Sequence, residues 1–544
     1  MKKTNYIEVE MWFTFQKLTR HQSFPSKAFN LICLKENSWD DYGFKTIFTV
    51  MVFDDTGVGV ELGNTKIAYL KQTEGWTSAK MLDRFDSLGT NFFSLGQDSD
   101  YYLRVVEGLR PDVSEQYLIS IRDMVRDNGI LTMVEKDAED LRANNFDSVY
   151  YSSLLRNVSV SNIKNQFVRI LSGGKPLTEY SFSFFRPQSN KHAEVSLNFE
   201  VDPDLKPSTN IHILIGRNGV GKTTILNGMV DAIMSKEKDV EDLGRFYISR
   251  YMSKHVEIED DYFSGVISVS FSAFDPFIPP PTQSDPSKGT CYHYIGLKKY
   301  NNKVSSDNAE LKSISELRAE LVESLKGCLS LSGKKERWIA AVKKLESDDN
   351  FAEINFKALV DISEKDETEN KNLLGLEALR LLNMLSSGHA IVLLTLTKLV
   401  EYVEEKTLVL IDEPESHLHP PLLAAFTRAL SELLLNRNGV AILATHSPVV
   451  LQEVPKSCVS ILRRTRLSGK VEKPNAETFG ENVGVLTREV FGLEVSKSGY
   501  YDLLAKDALQ GKRYEEILSE YNEQLGFEGR AILRALIATK EDGL

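Results

Sequence analysis

The run Gly216-Arg217-Asn218-Gly219-Val220-Gly221-Lys222-Thr223-Thr224 constrains this chain more than any other short segment in it. It fits G-x-x-x-x-G-K-[ST], and its setting gives the pattern meaning. The apolar strand Ile211–Ile215 runs into it, and a helix with Ile225, Leu226, Met229 and Ile233 on one face leaves it. Glycines let the backbone curl until its N–H groups converge, and the helix N-terminus adds partial positive charge, so such a turn cradles phosphates. Arg217, Asn218, Gly219, Gly221 and Thr224 are then expected along the phosphates, Lys222 at the β- and γ-phosphates, and Thr223 on Mg²⁺. A glycine-rich turn that matches by chance would lack the flanking strand and helix.

A second segment, Leu408-Val-Leu-Ile411-Asp412-Glu413, reads as a buried strand that releases two acids at its carboxyl end. In doubly wound sheets, ligands sit at those ends. Asp412 is expected to hold Mg²⁺ and Glu413 to polarise the attacking water, a metal acid and a water acid in one place. Alone, this segment is only a strand ending in a charged loop; the first motif changes that reading. Two weaker signals follow. Leu385-Ser386-Ser387-Gly388-His389 opens a helix with Ser386 as its cap, and such a start binds phosphate. Val440–Ala444 is another buried strand, and His446 after it, in Thr445-His446-Ser447-Pro448, is placed to sense a γ-phosphate. A lone histidine is more often structural; its position after the neighbouring strand favours the sensor role.

The rest of the chain supplies scaffold. Alternation over Tyr6–Phe15, Phe44–Phe53 and Val58–Leu70, with a turn at Asp54–Gly57, predicts strands, and Ser114–Met133 and Tyr150–Leu171 read as helical. Strands are expected at Tyr180–Phe185, Val195–Val201 and Gly265–Phe271, the last ending in a proline-rich loop. Residues 308 to about 360 are charged and helical, too short and irregular for a long coiled coil, and Glu364–Glu369 reads as a solvated connector. Helix and strand then alternate through Cys458–Leu462, the pattern of a parallel sheet covered by helices. Five zones result: an N-terminal α+β region (1–177), a lobe with the phosphate turn (178–300), a helical insertion (301–375), a lobe with the serine-glycine start, the acids and His446 (376–478), and a helical C-terminus (479–544).

The formal net charge of -12 argues against coating nucleic acid by bulk electrostatics. Cys33, Cys291, Cys328 and Cys458 form no CxxC pair, which fits a reducing, cytoplasmic compartment. Glu8 and Glu10 interrupt any signal-peptide core, and no apolar run approaches the ~20 residues of a membrane span.

The order of these motifs resembles the ABC-type P-loop ATPase heads of SMC and RecF proteins. The run Asp412-Glu413-Pro414-Glu415-Ser416-His417-Leu418-His419-Pro420 is most similar to the OLD-like branch. The fold this implies is α/β: an ABC-type head with a mixed sheet, a helical insertion, an N-terminal α+β extension and a helical C-terminus. The resemblance further implies ATP and Mg²⁺ as cofactors, and a homodimer in which Ser386 and Gly388 of one head close on the ATP of the other. Glu413 and His446 would be its catalytic residues, and Ser416–His419 would lie at the seam. No glutamine stands at the expected Q-loop place, taken by Ser270–Asp275, and Ser387 and His389 replace the commoner Gly and Gln of the signature, which implies slow turnover. Taken whole, with Phe271–Phe277, the D-E-P-E-S-H-L-H-P run and Leu525–Arg530, the chain is similar to the ATPases of Septu anti-phage systems, above all the retron-attached form. Those act with a separate HNH nuclease (PtuB-like), and the retron forms add a reverse transcriptase and its RNA–DNA product. The resemblance therefore implies a regulatory ATPase in a defence complex, not itself a nuclease. The alternative is a DNA-repair or chromosome-maintenance head of the RecF/SMC kind, which usually needs a long coiled coil. A fused nuclease is disfavoured because 479–544 is short for another α/β domain and lacks a D-x-D cluster. A transporter subunit does not explain the long N-terminal zone.

Three further features carry bland readings. His417 and His419 are expected to be structural rather than a metal centre, which needs three or four converging ligands. Arg463, Arg464, Arg466, Lys470 and Lys473 read first as a solvated hairpin, with a phosphate contact as the lesser alternative. Lys334, Lys335, Arg337, Lys343 and Lys344 around Trp338 read as a charged helix face, and as the best-placed surface for nucleic acid or a partner.

Overall fold

A computed structural model describes residues 13–541 apart from 191, 236–242, 251–253, 273, 274, 276, 286–287, 301–309, 365–372, 466–467 and 496–498. The start of the expected first strand, most of the acidic connector and Arg466 lie outside the described residues.

The head is built on a seven-stranded sheet in the order Cys291–Gly296, Gly265–Ser270, Thr407–Asp412, Val440–Thr445, Ile211–Gly216, Val459–Thr465, Ser468–Glu472. The first six run parallel and only the last is antiparallel. The central strands Ile211–Gly216 and Val440–Thr445 are buried at every position, as strands covered on both faces must be. Parallel strands put all their carboxyl ends on one edge, so Gly216, Asp412 and Thr445 emerge together.

One face of the sheet packs under the helices Ile314–Ser330, Ser332–Leu345, Ser387–Tyr402 and Pro420–Arg437, in a single hydrophobic cluster with Ile213, Val409 and Leu443. The charged stretch read as an insertion is thus one layer of the head's own core. Trp338 is 1% exposed and its indole N–H donates to Thr397 Oγ1 at 3.0 Å. Lys334 is buried, giving its ammonium to Asn157 Oδ1 and the Glu401 carbonyl, and Arg337 pairs with Asp98 and Asp100. While Lys343 and Lys344 stay exposed, the expectation of an open binding surface fails at Lys334, Arg337 and Trp338. The alkyl stems of these residues cover apolar surface while their charged ends find partners.

The other face holds the helix Lys222–Met234 and a four-stranded antiparallel sheet in the order Val195–Val201, Tyr180–Arg186, Arg245–Arg250, Lys254–Glu257. Val195–Val201 alternates buried and exposed without a break, which is the period-two pattern of its sequence.

The N-terminal region is a six-stranded sheet, Arg84–Phe85, Thr14–Leu18, Leu31–Glu36, Ile47–Phe53, Gly59–Tyr69, Phe92–Gly96, with helices Ser99–Gly108, Pro111–Ser120 and Asn128–Ala143 around its own core. Polar contacts fix it to the head. Arg437, wholly buried, donates to Ser99 Oγ at 2.9 Å and to Glu404 Oε2 at 2.5 Å, and Asn64 Oδ1 accepts from Ser332 N at 2.6 Å. From Val483 onward the described chain contains four helices, Val483–Val495, Tyr500–Leu509, Tyr514–Glu520 and Phe527–Glu541.

Candidate functional site: an acidic rim facing a phosphate turn

The turn after Ile211–Gly216 needs two left-handed positions, and glycine fills both: Gly219 at φ +79° and Gly221 at φ +97°. The helix Lys222–Met234 starts at once, so Thr223 and Thr224 sit in its first turn with free backbone N–H groups, an arrangement that attracts anions. Lys222 folds back over the turn. Its ammonium donates to the Gly216 carbonyl at 3.2 Å and to His446 Nε2 at 2.6 Å. Burial pushes the Lys222 ammonium below its ordinary range, and Glu413, Asp412 and Glu415 pull it partly back.

Two strands away, Asp412 faces this helix start. Thr223 Oγ1 donates to Asp412 Oδ2 at 2.8 Å. The other carboxylate oxygen, Oδ1, is buried with no hydrogen-bond partner. Desolvation is the main reason the Asp412 carboxyl is pushed up to about 6, the Thr223 hydrogen bond opposing it and the Glu413 charge adding to it. A buried, unpartnered carboxylate oxygen beside a threonine hydroxyl is a hard oxygen donor pair, which fits Mg²⁺. When bound there, Mg²⁺ would offset the Asp412 charge and polarise phosphate oxygens.

Glu413 takes the left-handed conformation (φ 46°, ψ 60°), uncommon for a residue with a Cβ. Its N–H is tied to the Ala444 carbonyl at 2.8 Å, and Pro414 follows it directly. This reversal sends the Glu413 side chain out of the sheet edge, 41% exposed and 3.5 Å from His446 Nε2. Strain of this kind gathers at functional sites, where neighbouring contacts hold it. Glu415 locks the other side by accepting the His446 N–H at 2.5 Å. Burial and the nearby Lys222 charge hold the His446 imidazole below its usual pKa, so it is neutral at pH 7 and able to accept from Lys222.

Lys222, Thr223, Asp412, Glu413 and His446 therefore meet at one rim. Two clefts flank it. One of about 620 Å³ is lined by Thr223, Thr224, Asp412, Glu413, Asp275 and Arg186 among others. A more open one, of about 820 Å³, is lined by Arg217, Asn218, Glu413, Glu415, His446 and Phe491. Ser386 and Gly388 line neither. Ser386 caps the helix Ser387–Tyr402, and a methyl on Gly388 would press on the His417 carbonyl oxygen. The signature turn is packed on the segment that follows the acids.

Arg186 and Lys298 carry no signal in the sequence, and Asp275 and Arg464 stand out there only as parts of the Ser270–Asp275 loop and the basic hairpin. Asp275 comes from the loop where the glutamine was sought; the buried Lys298 holds that loop by donating to the Asp275 and Phe277 carbonyls. Residues 273, 274 and 276 of that loop lie outside the described residues. Arg186 donates to the Thr224 carbonyl at 3.4 Å. Arg464, in the basic hairpin, approaches the turn: a methyl on Gly221 would stand 3.5 Å from its Nη1. No local pattern distinguishes these from other surface charges. His419 caps the helix Pro420–Arg437 and converges with His389 on Asp348.

A relative, protein ea59 of Escherichia phage lambda, is 43% identical and aligned over 97% of this chain and 99% of its own length. The chain belongs to the ea59 family. Within this ea59-family chain, residues 300–452 match the family described as "AAA domain, putative AbiEii toxin, Type IV TA system". That match carries Ser386, Asp412, Glu413 and His446. Among solved structures, the ADP conformation of MJ1267, an ATP-binding cassette of an ABC transporter, is 14% identical, covers 58% of this chain and 99% of its own, and superposes with a TM-score of 0.28. A putative ABC transporter ATP-binding protein from Pyrococcus furiosus gives 14% identity, 49% and 92% coverage, and a TM-score of 0.22. The ea59-family chain thus carries an AAA-type P-loop ATPase domain on a mixed α/β fold. Among its described residues, no helix is long and apolar enough to cross a membrane.

Proposed function

We propose that this chain is an ATP-binding and ATP-hydrolysing regulatory subunit that closes as a homodimer around two nucleotides and controls a separate HNH nuclease in an anti-phage defence complex. The observation that carries the ATPase reading is the meeting of Lys222, Thr223, Asp412, Glu413 and His446 at one sheet edge. Lys222 and the first turn of its helix bind phosphates. Thr223 and Asp412 hold Mg²⁺, Glu413 orients and deprotonates the attacking water, and neutral His446 donates toward charge that develops on the γ-phosphate. In this reading Ser386 and Gly388, which line neither cleft of their own head, serve a second copy. ATP that binds the closed pair better than the open one then shifts the population to the closed state.

The defence setting is supported by a phage-encoded relative and by a family description that mentions a toxin and a toxin–antitoxin system. A retron reverse transcriptase with its RNA–DNA product is a further partner in this reading. The test is phosphate release by the purified chain, then nuclease activity after mixing with an HNH nuclease sought in the neighbouring open reading frame. Turnover lost in Lys222→Ala and Glu413→Gln, with cutting only in the mixture and dependent on nucleotide state, is expected. Strong metal-dependent cutting by the chain alone, or turnover undiminished in Glu413→Gln, overturns it.

A further inference from the structure

Four side chains from three distant segments form one polar chain behind the signature turn. Ser386 Oγ lies 2.5 Å from His389 Nδ1. His389 Nε2 lies 3.0 Å from Asp348 Oδ1, and His419 Nε2 lies 3.2 Å from Asp348 Oδ2. The His389 and Asp348 side chains are 7% and 8% exposed, while His419 is 48% exposed at the outer end.

The donor and acceptor roles follow from the chemistry of the groups. Asp348 also accepts the Asn350 and Phe351 N–H groups as the cap of Asp349–Ala352. Burial acts to raise its carboxyl, but the His389 hydrogen bond and those two N–H groups outweigh burial and keep it below its ordinary value. An ionised carboxylate only accepts, so both histidines present N–H at Nε2. A neutral His389 then has a bare Nδ1, and the Ser386 hydroxyl must donate to it. His419 Nδ1 in turn accepts the Leu422 N–H at 3.4 Å, which keeps its proton on Nε2. That tautomer leaves no lone pair on Nε2 for a metal, although the three groups converge closely.

We propose that His389, held by Asp348 and His419, is a positioning residue that decides whether Ser386 can offer its hydroxyl proton to the γ-phosphate bound by a second copy. With neutral His389 the hydroxyl proton is spent inside its own head, and Ser386 faces the seam with lone pairs that repel a phosphate. When His389 takes one proton from solvent, Nδ1–H donates to Ser386 Oγ, the hydroxyl proton turns outward, and the imidazolium charge is paired with Asp348. Closure on ATP therefore takes up a proton at each signature turn. Among the described residues, the titratable groups facing His389 are Asp348, ahead of Asp349–Ala352, and His419, ahead of Pro420–Arg437. Phe351 supplies an apolar face with ring centroids 5.1 Å apart. The segment Pro414–His417 meets the turn through the His417 carbonyl.

This inference rests on the paired-head reading, and the test separates the two. In full-length Glu413→Gln with Mg·ATP, sedimentation from pH 6 to 8.5 is expected to show dimers weakening by up to about tenfold per pH unit for each signature turn. His389→Asn and His389→Gln should weaken the dimer at least tenfold at pH 6 and flatten that dependence, leaving nucleotide binding by single heads intact. Asp348→Asn should move the transition to lower pH. The pH dependence kept unchanged in both His389 variants overturns the relay while the paired heads stand. Stoichiometric Zn²⁺ binding that is lost in His419→Ala also overturns it, in favour of a metal site. A Glu413→Gln protein that stays monomeric at every pH removes the paired heads and the relay together.

Discussion

Asp412→Asn should make the metal-free protein more stable, and the size of the gain follows from where the carboxylate sits. Asp412 has one oxygen bonded to Thr223 and the other buried without a partner. Its carboxyl is pushed from 3.8 up to about 6, with burial as the largest cause. A folded-state value above the unfolded one contributes stability that is complete below pH ~4 and is lost as pH rises through ~6. At ~1.36 kcal/mol for each tenfold change in proton affinity, the rise from 3.8 to about 6 comes to about 2–3 kcal/mol. Asparagine keeps the shape and an acceptor for Thr223 but cannot ionise. Urea denaturation in EDTA should therefore show wild type and variant diverging between pH 4 and 6, with the variant about 2–3 kcal/mol more stable above pH 6.5. Mg·ATP at a hundred times its Kd should bring wild type about level with a variant that no longer binds it, because such a ligand adds about 2.7 kcal/mol. A pH-independent difference, or a variant that loses stability at pH 8, refutes the argument that a buried charge is held ready for a cation.

Three other outcomes are expected. Gly388→Ala forces a methyl onto the His417 carbonyl, so it should cost about 1–3 kcal/mol and weaken ATP-driven dimerisation more than tenfold, checked by denaturation and sedimentation. Trp338→Ala removes a side chain 1% exposed and should cost about 3–5 kcal/mol; a loss under about 1 kcal/mol would contradict its place in the core. His446→Ala should lower turnover on the order of a hundredfold while nucleotide affinity, read by titration calorimetry, stays within a few-fold.

The parts of the site carried by short local patterns were readable beforehand. A strand, a glycine turn and a helix start are contiguous in sequence, so Gly219, Gly221, Lys222 and Thr223 declare their geometry without help from the rest of the fold. Asp412 and His446 were readable because each follows a wholly apolar strand, and parallel strands bring such ends to a common edge. What failed depended on distant partners. Lys-Lys-Glu-Arg-Trp-Ile looks like a solvated helix face, yet Trp338 fills the core because Asn157, Glu401, Asp98 and Asp100 receive the charges beside it. Phe92–Gly96 is buried at every position and shows no alternation, so period-two counting passes over it. Asp348 carries no signal of its own; only the packing of Asp349–Ala352 against the signature helix brings it to His389 and His419. Asp275 likewise enters the site by way of a loop that Lys298 pins in place.

The central claim is that one triphosphate site is completed by a second copy of the chain. Light scattering on full-length Glu413→Gln with Mg·ATP tests it most directly. The account predicts a particle of about twice the 61.4 kDa chain mass, with one ATP retained per chain and none in Lys222→Ala/Glu413→Gln. A monomer with ATP bound at every protein concentration would contradict it.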